Sequence, residues 1–367
     1  MNTAAPTRPR RPARSIAHAY GWGYNNRGGL GTGTTARAPR PVRVSVPADT
    51  VDLQGGTDFT VALTGTGEVW TWGGNDNGEL GLGHRRTSLR SHQVQLPRVT
   101  AISVGESHVL ALTAKGELYA WGRNHHGQLG DGTGDDRTTP HRILELEPQA
   151  RLATGIASSA VVHPDGTVIT WGKPMPGTAS IDAADYGRPR TLHLPKSVRA
   201  AQVDAGRRHL LVLTRDGELL AYGVDFAGRP MPNKVLLQES WGRVSSISAG
   251  DSHTLALTDT GVVIAWGANN SGQLGARDTT SRPEPRKVTL PVDRARVLQV
   301  VASGDFSLAR LDDHRVLSWG HGVFGQHGNG NSVNQSRPAV VPLPSGTRVA
   351  GIHAGRFHAH VRTSVHH

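Results

Sequence analysis

An aromatic residue followed by glycine occurs seven times along the chain: Trp22-Gly23, Trp72-Gly73, Trp121-Gly122, Trp171-Gly172, Tyr222-Gly223, Trp266-Gly267 and Trp319-Gly320. The intervals are 50, 49, 50, 51, 44 and 53 residues. Six positions after each aromatic stands another glycine: Gly28, Gly78, Gly127, Gly177, Gly228, Gly272 and Gly325. A second mark has the same count, a glycine opening a short turn at Gly56, Gly105, Gly155, Gly206, Gly250, Gly304 and Gly355. Two marks sharing one period restrict the chain to a repeat architecture. Each period is then one small unit that buries its apolar faces only by stacking on its neighbours.

One period shows what the unit is. In residues 98–145, Val99-Thr-Ala-Ile-Ser-Val alternates as a strand, Gly105-Glu-Ser-His turns, and His108-Val-Leu-Ala-Leu-Thr is a second strand. Ala114-Lys-Gly is a tight turn with glycine where positive φ is needed. Glu117-Leu-Tyr-Ala-Trp-Gly is a third strand, a long Asn/Gly-rich loop follows, and Pro140-His-Arg-Ile-Leu is a fourth. Proline at a strand start marks an outer edge. No stretch carries a helical apolar period. Four strands per period, repeated seven times, predict an all-β, seven-bladed β-propeller of four-stranded blades. The chain opens on a third-type strand from Ala17 to Trp22 and a fourth at Pro41-Val-Arg-Val. It ends on a first-type strand from Arg348 to Ile352 and a second from His358 to Arg362. A composite blade built from both ends therefore closes the ring and removes the edges that an open array leaves. The expected division is a basic N-terminal tail at 1–16, a propeller at 17–363 and a short C-terminal tail at 364–367.

Composition narrows the chemistry. Cysteine is absent, which excludes disulfides, thiolate nucleophiles and Cys-ligated metal sites. Lys+Arg exceed Asp+Glu by 11, and only five of the 40 cations are Lys. Such a balance attracts polyanions, although GC-rich coding also raises Arg. No apolar run reaches the roughly 18 residues of a membrane span, and residues 1–16 carry four Arg with no apolar segment of a secretory signal. The expectation is a cytoplasmic, monomeric protein without a membrane partner. The tail Arg8-Pro-Arg-Arg-Pro-Ala-Arg reads as disordered, with weak, salt-sensitive nucleic-acid binding as its one candidate role.

The segments Trp121-Gly-Arg-Asn-His-His-Gly-Gln-Leu-Gly, Trp266-Gly-Ala-Asn-Asn-Ser-Gly-Gln-Leu-Gly and Gly250-Asp-Ser-His-Thr-Leu-Ala-Leu-Thr resemble repeats of the regulator of chromosome condensation family. The resemblance covers about residues 17–363 and implies seven blades. Its functional implication is broad, because that family includes exchange factors for a small GTPase, chromatin binders, scaffolds, effectors and a propeller-type beta-lactamase inhibitor. Family exchange factors insert a β-wedge from one blade. Here the longest interval between turn glycines is 54 residues, leaving no room for one.

Candidate function falls on the turns between first and second strands, which should ring one mouth of the central channel. Their side chains include Asp58, Phe59, Glu106, His108, Arg207, Arg208, His209, Asp251, His253, Asp305, Phe306, Arg356 and Phe357. Alternating acids, cations and aromatics on a rigid scaffold read as a protein-binding rim. His108, His209, His253 and His358 share one position, three residues after the turn glycine. A metal-binding imidazole ring is the sharp reading. A cap on each blade's backbone is the plain one, and the resemblance supports it. Phe59, Ser158 and Ser307 at the other copies break the ring, so no metal or other cofactor is expected. Two adjacent periods depart from the loop pattern, at Trp171-Gly-Lys-Pro-Met-Pro-Gly and Tyr222-Gly-Val-Asp-Phe-Ala-Gly-Arg-Pro-Met-Pro. They bring Lys173, Met175, Phe226, Arg229 and Met231 to the same face, as a recognition patch or as a tolerant loop. The leading function is a protein-interaction module with an unidentified protein partner. One alternative is an enzyme or small-molecule binder at the channel mouth, pairing His209 with Asp251 or His253 with Asp305 as acid and base. Another is a nucleic-acid-associated protein.

Overall fold

The computed structural model describes residues 18–177, 187–231, 234–291 and 294–364. The tail at 1–16 lies outside these, as does the C-terminal segment beyond Ser364. Among the described residues, twenty-seven strands form seven separate antiparallel sheets. The first strand of each sheet touches the first strands of two neighbours, and the cycle closes on itself. We number the blades by chain position: blade 1, 50–94; blade 2, 99–145; blade 3, 151–192; blade 4, 200–223; blade 5, 244–287; blade 6, 297–340; and blade 7 from 19–44 together with 349–363. In blade 7 the strand Ala19–Gly23 pairs antiparallel with His358–Thr363, from Gly23 opposite His358 to Ala19 opposite Arg362. The ends of the chain thus clasp through a full strand ladder, as the order of strand types predicts.

Second strands are buried on both faces, as in His108–Thr113, whereas fourth strands such as Ser88–Val94 are mostly solvated. The core is accordingly not central. It lies in seven apolar clusters, one between each pair of neighbouring blades. Trp22, Trp72, Trp121 and Trp319 are wholly enclosed there, and truncating one such indole costs about 3–5 kcal/mol. The glycine after the aromatic is steric in origin. Gly122 has φ +98°, and a Cβ there would lie 2.5 Å from the Ser107 carbonyl oxygen.

Two expectations are corrected. Blade 4 has three strands among the described residues, Ala200–Ala205, His209–Thr214 and Leu219–Gly223. A single bridge from Leu219 to Val235 stands where a fourth strand would run. The segment leading there contains Pro230, which has no N–H to give a ladder. In blade 6 the turn is one residue shorter. Phe306 pairs with Gly320 as His253 pairs with Gly267 and His108 with Gly122. Phe306, not Ser307, is therefore the counterpart of the histidines.

Candidate functional site

The face carrying the inter-strand turns is built by a repeated set of hydrogen bonds. In the loop after the third strand, a buried asparagine acts as hub. Asn124 Oδ1 accepts from the Leu129 N–H, and its Nδ2 donates to Asp131 and Thr133. Asn25, Asn75 and Asn269 do the same for Leu30, Leu80 and Leu274. The loop so shaped offers one main-chain carbonyl, on the residue before that leucine, to the next blade. Trp72 Nε1 donates to Gly29 O at 3.0 Å, Trp121 to Glu79 O at 2.8 Å, Trp171 to Gln128 O at 2.9 Å and Trp319 to Gln273 O at 2.8 Å. Trp22 donates to Gln326 O at 2.6 Å, where His327 follows instead of leucine. Three of these carbonyls accept a second bond from a second-strand hydroxyl: Thr60 to Gly29 O, Ser159 to Gln128 O and Ser307 to Gln273 O, at 2.8–2.9 Å.

Those hydroxyls explain the histidines. His108 Nε2 lies 2.9 Å from Ser159 Oγ, His253 Nε2 3.0 Å from Ser307 Oγ and His358 Nε2 3.2 Å from Thr60 Oγ1. Each hydroxyl gives its proton to the loop carbonyl, so the imidazole must donate its Nε2–H to the hydroxyl. The histidines therefore bolt one blade to a side chain of the next, instead of capping their own backbone. Burial drives their pKa values down, to about 3 for His108 and His253 and about 4 for His209 and His358. Among the described residues no group of His, Asp or Glu is placed to hold a metal ion.

The thirteen rim candidates consequently divide. Phe59, His108, His209, His253 and Phe306 are buried between blades and are corrected from rim to core, because the third turn position points sideways into the neighbouring blade. The acid–base pairs are corrected too. His253 bonds Ser307 and His209 faces Thr254, while Asp251 and Asp305 lie at the mouth. Asp58, Glu106, Arg207, Arg208, Asp251, Asp305, Arg356 and Phe357 remain at the mouth, exposed or half-buried.

Four of these form one network. The Arg356 guanidinium donates from Nη1 to Glu106 Oε1 at 2.5 Å and from Nη2 to Asp251 Oδ2 at 2.7 Å. Arg207 reaches the same Asp251 oxygen at 3.1 Å. Blades 7, 2, 5 and 4 are thereby tied across the opening of a channel cavity of about 140 Å³, lined by the turn glycines. Asp204 also lines it, holding the Ala205 and Ala249 N–H groups, and burial pushes its pKa up to about 6. Burial also raises Asp58, with Arg27 pulling the other way, and raises Asp305, with Asp251 adding to it. Phe357 stacks edge-on with Tyr24 and Phe324, and the Arg37 guanidinium lies 5.0 Å from the Phe324 ring. Sequence reading missed Tyr24, Phe324 and Arg37, because Tyr24 and Arg37 enter blade 7 from the other end of the chain and meet Phe324 of blade 6 only when the ring closes.

Blades 3 and 4 lack the loop. Pro174 and Asp225 occupy the hub asparagine's position, and among the described residues neither loop gives a carbonyl to a tryptophan of the next blade. A basin of about 670 Å³ opens beside them, lined by Arg123, His126, Lys173, Met175, Arg207, Arg208 and Arg356, with Glu106 as its one carboxylate among the described residues. Lys173 is exposed there, and Met175 is buried against Tyr222. Phe226 and Met231 are half-buried beside a second cavity between blades 4 and 5, and Arg229 pairs with Asp225 at 2.7 Å.

Comparison with known proteins follows the same division. The family described as "Regulator of chromosome condensation (RCC1) repeat" matches residues 18–63, 66–112, 115–161, 260–310 and 313–361. A second description of that repeat matches 51–79, 99–128, 244–273 and 297–326. Both leave residues 162–243, which hold the two departing loops, unmatched. The chain is 32% identical over 349 residues to the ultraviolet-B receptor UVR8 of Arabidopsis thaliana, covering 93% of this chain and 69% of that protein. It is 28% identical over 351 residues to the human E3 ubiquitin-protein ligase HERC2, covering 92% of this chain but 6% of that protein. Yeast RCC1 (Prp20) bound to Kap60 superposes with a TM-score of 0.83 at 18% identity, covering 100% of this chain and 96% of the other. Human WBSCR16 gives 0.83 at 21% identity, with 95% and 99% covered. Prp20p of Saccharomyces cerevisiae, studied for its binding to Gsp1p and histones, gives 0.82 at 21%, with 97% and 93% covered. At such identities these structures share the fold.

Proposed function

The chain belongs to the regulator of chromosome condensation (RCC1) repeat family, and on that premise we propose that it is a protein-interaction module whose turn-bearing face docks an acidic surface of a protein partner. The observation carrying this reading is the basin at blades 3 and 4. Arg123, Lys173 and Arg208 line it, and none forms an ion pair among the described residues. Arg123 Nε is buried with no hydrogen-bond partner. Cations held on a rigid surface without carboxylates of their own are suited to recognising carboxylates of another molecule. Protein partners are also what the relatives suggest, since yeast Prp20 was solved with Kap60 and studied with Gsp1p and histones. We place the protein in the cytoplasm as a monomer. Among the described residues no helix is long and apolar enough to cross a membrane.

The test is affinity purification from nuclease-treated lysate, with an Arg123→Ala, Lys173→Ala, Arg208→Ala triple variant as control. A stoichiometric protein captured by the parent and lost with the variant is the expected result. Capture of only nuclease-sensitive, salt-labile material would replace this reading with a nucleic-acid one, because phosphates are recognised by the same cations. No capture at all would turn attention to small acidic molecules in the basin.

A further inference from the structure

The junction between blades 4 and 5 retains a hydrogen-bonding arrangement whose acceptor the chain does not supply. In blades 1, 3 and 6, the second-strand hydroxyl and the tryptophan sit on residues paired across the ladder: Thr60 with Trp72, Ser159 with Trp171 and Ser307 with Trp319. That register aims both donors at one carbonyl oxygen from the preceding loop. Blade 5 has the same register, Thr254 opposite Trp266. Both residues are almost fully buried, at 2% and 3% exposure. The preceding loop lacks the asparagine hub, and among the described residues Trp266 Nε1 has no hydrogen-bond partner. Thr254 Oγ1 lies 3.4 Å from His209 Nε2, the longest of the four histidine–hydroxyl contacts. Thr254 and Trp266 both line a cavity of about 170 Å³, with Val224, Phe226, Pro230 and Met231 as its apolar wall. That volume exceeds the roughly 30 Å³ share of one water molecule several-fold.

We propose that this notch is a binding site for a loop of a partner protein that presents a main-chain carbonyl followed by leucine. The chain itself shows the fitting chemistry. At four of the junctions with an intact loop, the accepting carbonyl is followed by Leu30, Leu80, Leu129 or Leu274, and all four side chains are buried. Leu80, Leu129 and Leu274 pack in the same clusters as Trp121, Trp171 and Trp319. An incoming carbonyl would accept from Trp266 Nε1–H and Thr254 Oγ1–H, and its leucine would pack on Trp266, Phe226 and Met231. Arg207 and Arg208 at the edge of the cavity adjoin the cationic basin, so the notch and the basin are one continuous surface. This site deepens the interaction reading and rests on it only in taking the occupant to be a protein segment.

The test uses the full chain and a blocked heptapeptide with the sequence of residues 269–275, Asn-Asn-Ser-Gly-Gln-Leu-Gly. Indole N–H resonances are followed by ¹⁵N NMR, with Trp266 assigned from its loss in Trp266→Phe. The expected result is a saturable downfield shift of the Trp266 resonance at millimolar peptide. Thr254→Val should weaken binding roughly three- to tenfold, the worth of one hydrogen bond, and a Leu→Ala peptide should weaken it further. A resonance that does not move overturns the proposal, as does an equal response to the Leu→Ala peptide. A Trp266 indole that already resonates with the five indoles bonded to loop carbonyls in the free protein also overturns it, because the site is then filled from within. If the peptide fails while partner capture still depends on Arg123, Lys173 and Arg208, this inference falls alone. If the peptide binds and capture fails, the interaction reading falls alone.

Discussion

Two neighbouring junctions have lost the same loop and have answered the loss in opposite ways. Between blades 3 and 4 every partner of the missing carbonyl is gone as well. Ser158 stands where a histidine would be, Leu210 where a hydroxyl would be and Tyr222 where a tryptophan would be. Met175 fills the space within that cluster, and the Pro176 carbonyl accepts from the Gly223 N–H. Between blades 4 and 5 the partners His209, Thr254 and Trp266 all remain. A buried donor left unpaired costs about 1–3 kcal/mol. The first junction avoids that cost by becoming apolar, and the second keeps its donors open toward a cavity. The contrast shows that losing a loop need not create a site. The 4–5 junction is a candidate because the donors outlived their acceptor.

Acid should separate the two junctions most strongly. The buried imidazoles have pKa values of about 3 to 4 in the folded chain and near 6.5 when unfolded. Between these limits the unfolded chain binds more protons, so stability present above pH ~6.5 is lost as pH falls. Each ring contributes about 1.4 kcal/mol per pH unit. Asp204, raised to about 6, works against this over part of the range, since it binds its proton more readily when folded. Denaturant unfolding between pH 7 and 4.5 should show a steep fall, and His209→Ser should flatten it by about one proton's share. Hydrogen exchange in acid should open the 4–5 junction before the 3–4 junction, which has no histidine bolt. Simultaneous opening would mean that the bolt does not set local stability.

The loops give the next largest difference. Asn124→Ala removes the hub of an intact loop together with its bonds to Leu129, Asp131 and Thr133, for an expected loss of about 3 kcal/mol. Pro174→Ala, at the equivalent position in blade 3, is exposed and should change stability by less than about 0.5 kcal/mol. Thermal melts of the two variants make the comparison. The tryptophans follow. Trp319→Phe breaks a buried bond to Gln273 O and should cost about 1–2 kcal/mol. Trp266→Phe sheds a similar part of a buried ring but breaks no bond among the described residues, and should cost about 1 kcal/mol less than Trp319→Phe. Equal losses at the two positions would mean that Trp266 is already paired.

What was legible in the sequence was whatever sterics impose locally. Gly122 stands against Ser107 in one hairpin and Trp121 against a loop one period upstream, so spacing alone exposed the blades and their closure. The histidines were visible as a set, but their direction was not. A side chain three residues after a turn glycine faces the channel or the next blade according to register. In blade 6 a turn shorter by one residue moved Phe306 into the place assigned to Ser307. The Arg356 network had no local signal, since its partners lie 250 and 105 residues away. The notch did have a signal: Trp266-Gly267 follows a period with no Gln-Leu-Gly. Reading it required knowing which carbonyl that tryptophan lacks.

The smallest effect concerns how the 4–5 junction is held shut at the surface. Arg207 of blade 4 meets Asp251 of blade 5 twice, through its main-chain N–H at 3.0 Å and its guanidinium at 3.1 Å. The 3–4 junction has Ile156 and Ala157 at the facing turn, with no charge to pair. If the ion pair substitutes for the missing loop, Arg207→Ala should destabilise the protein, but only slightly. The guanidinium is 45% exposed, so water screens the attraction, and such pairs contribute about 0.2–1 kcal/mol. Asp251 also keeps its shorter bond to Arg356, which lowers the expectation to about 0.5 kcal/mol at low salt. At ionic strength near 1 M, where screening acts over about 3 Å, the difference should vanish. A loss that persists in salt would instead locate the contribution of Arg207 in the packing of its aliphatic stem on the cavity wall.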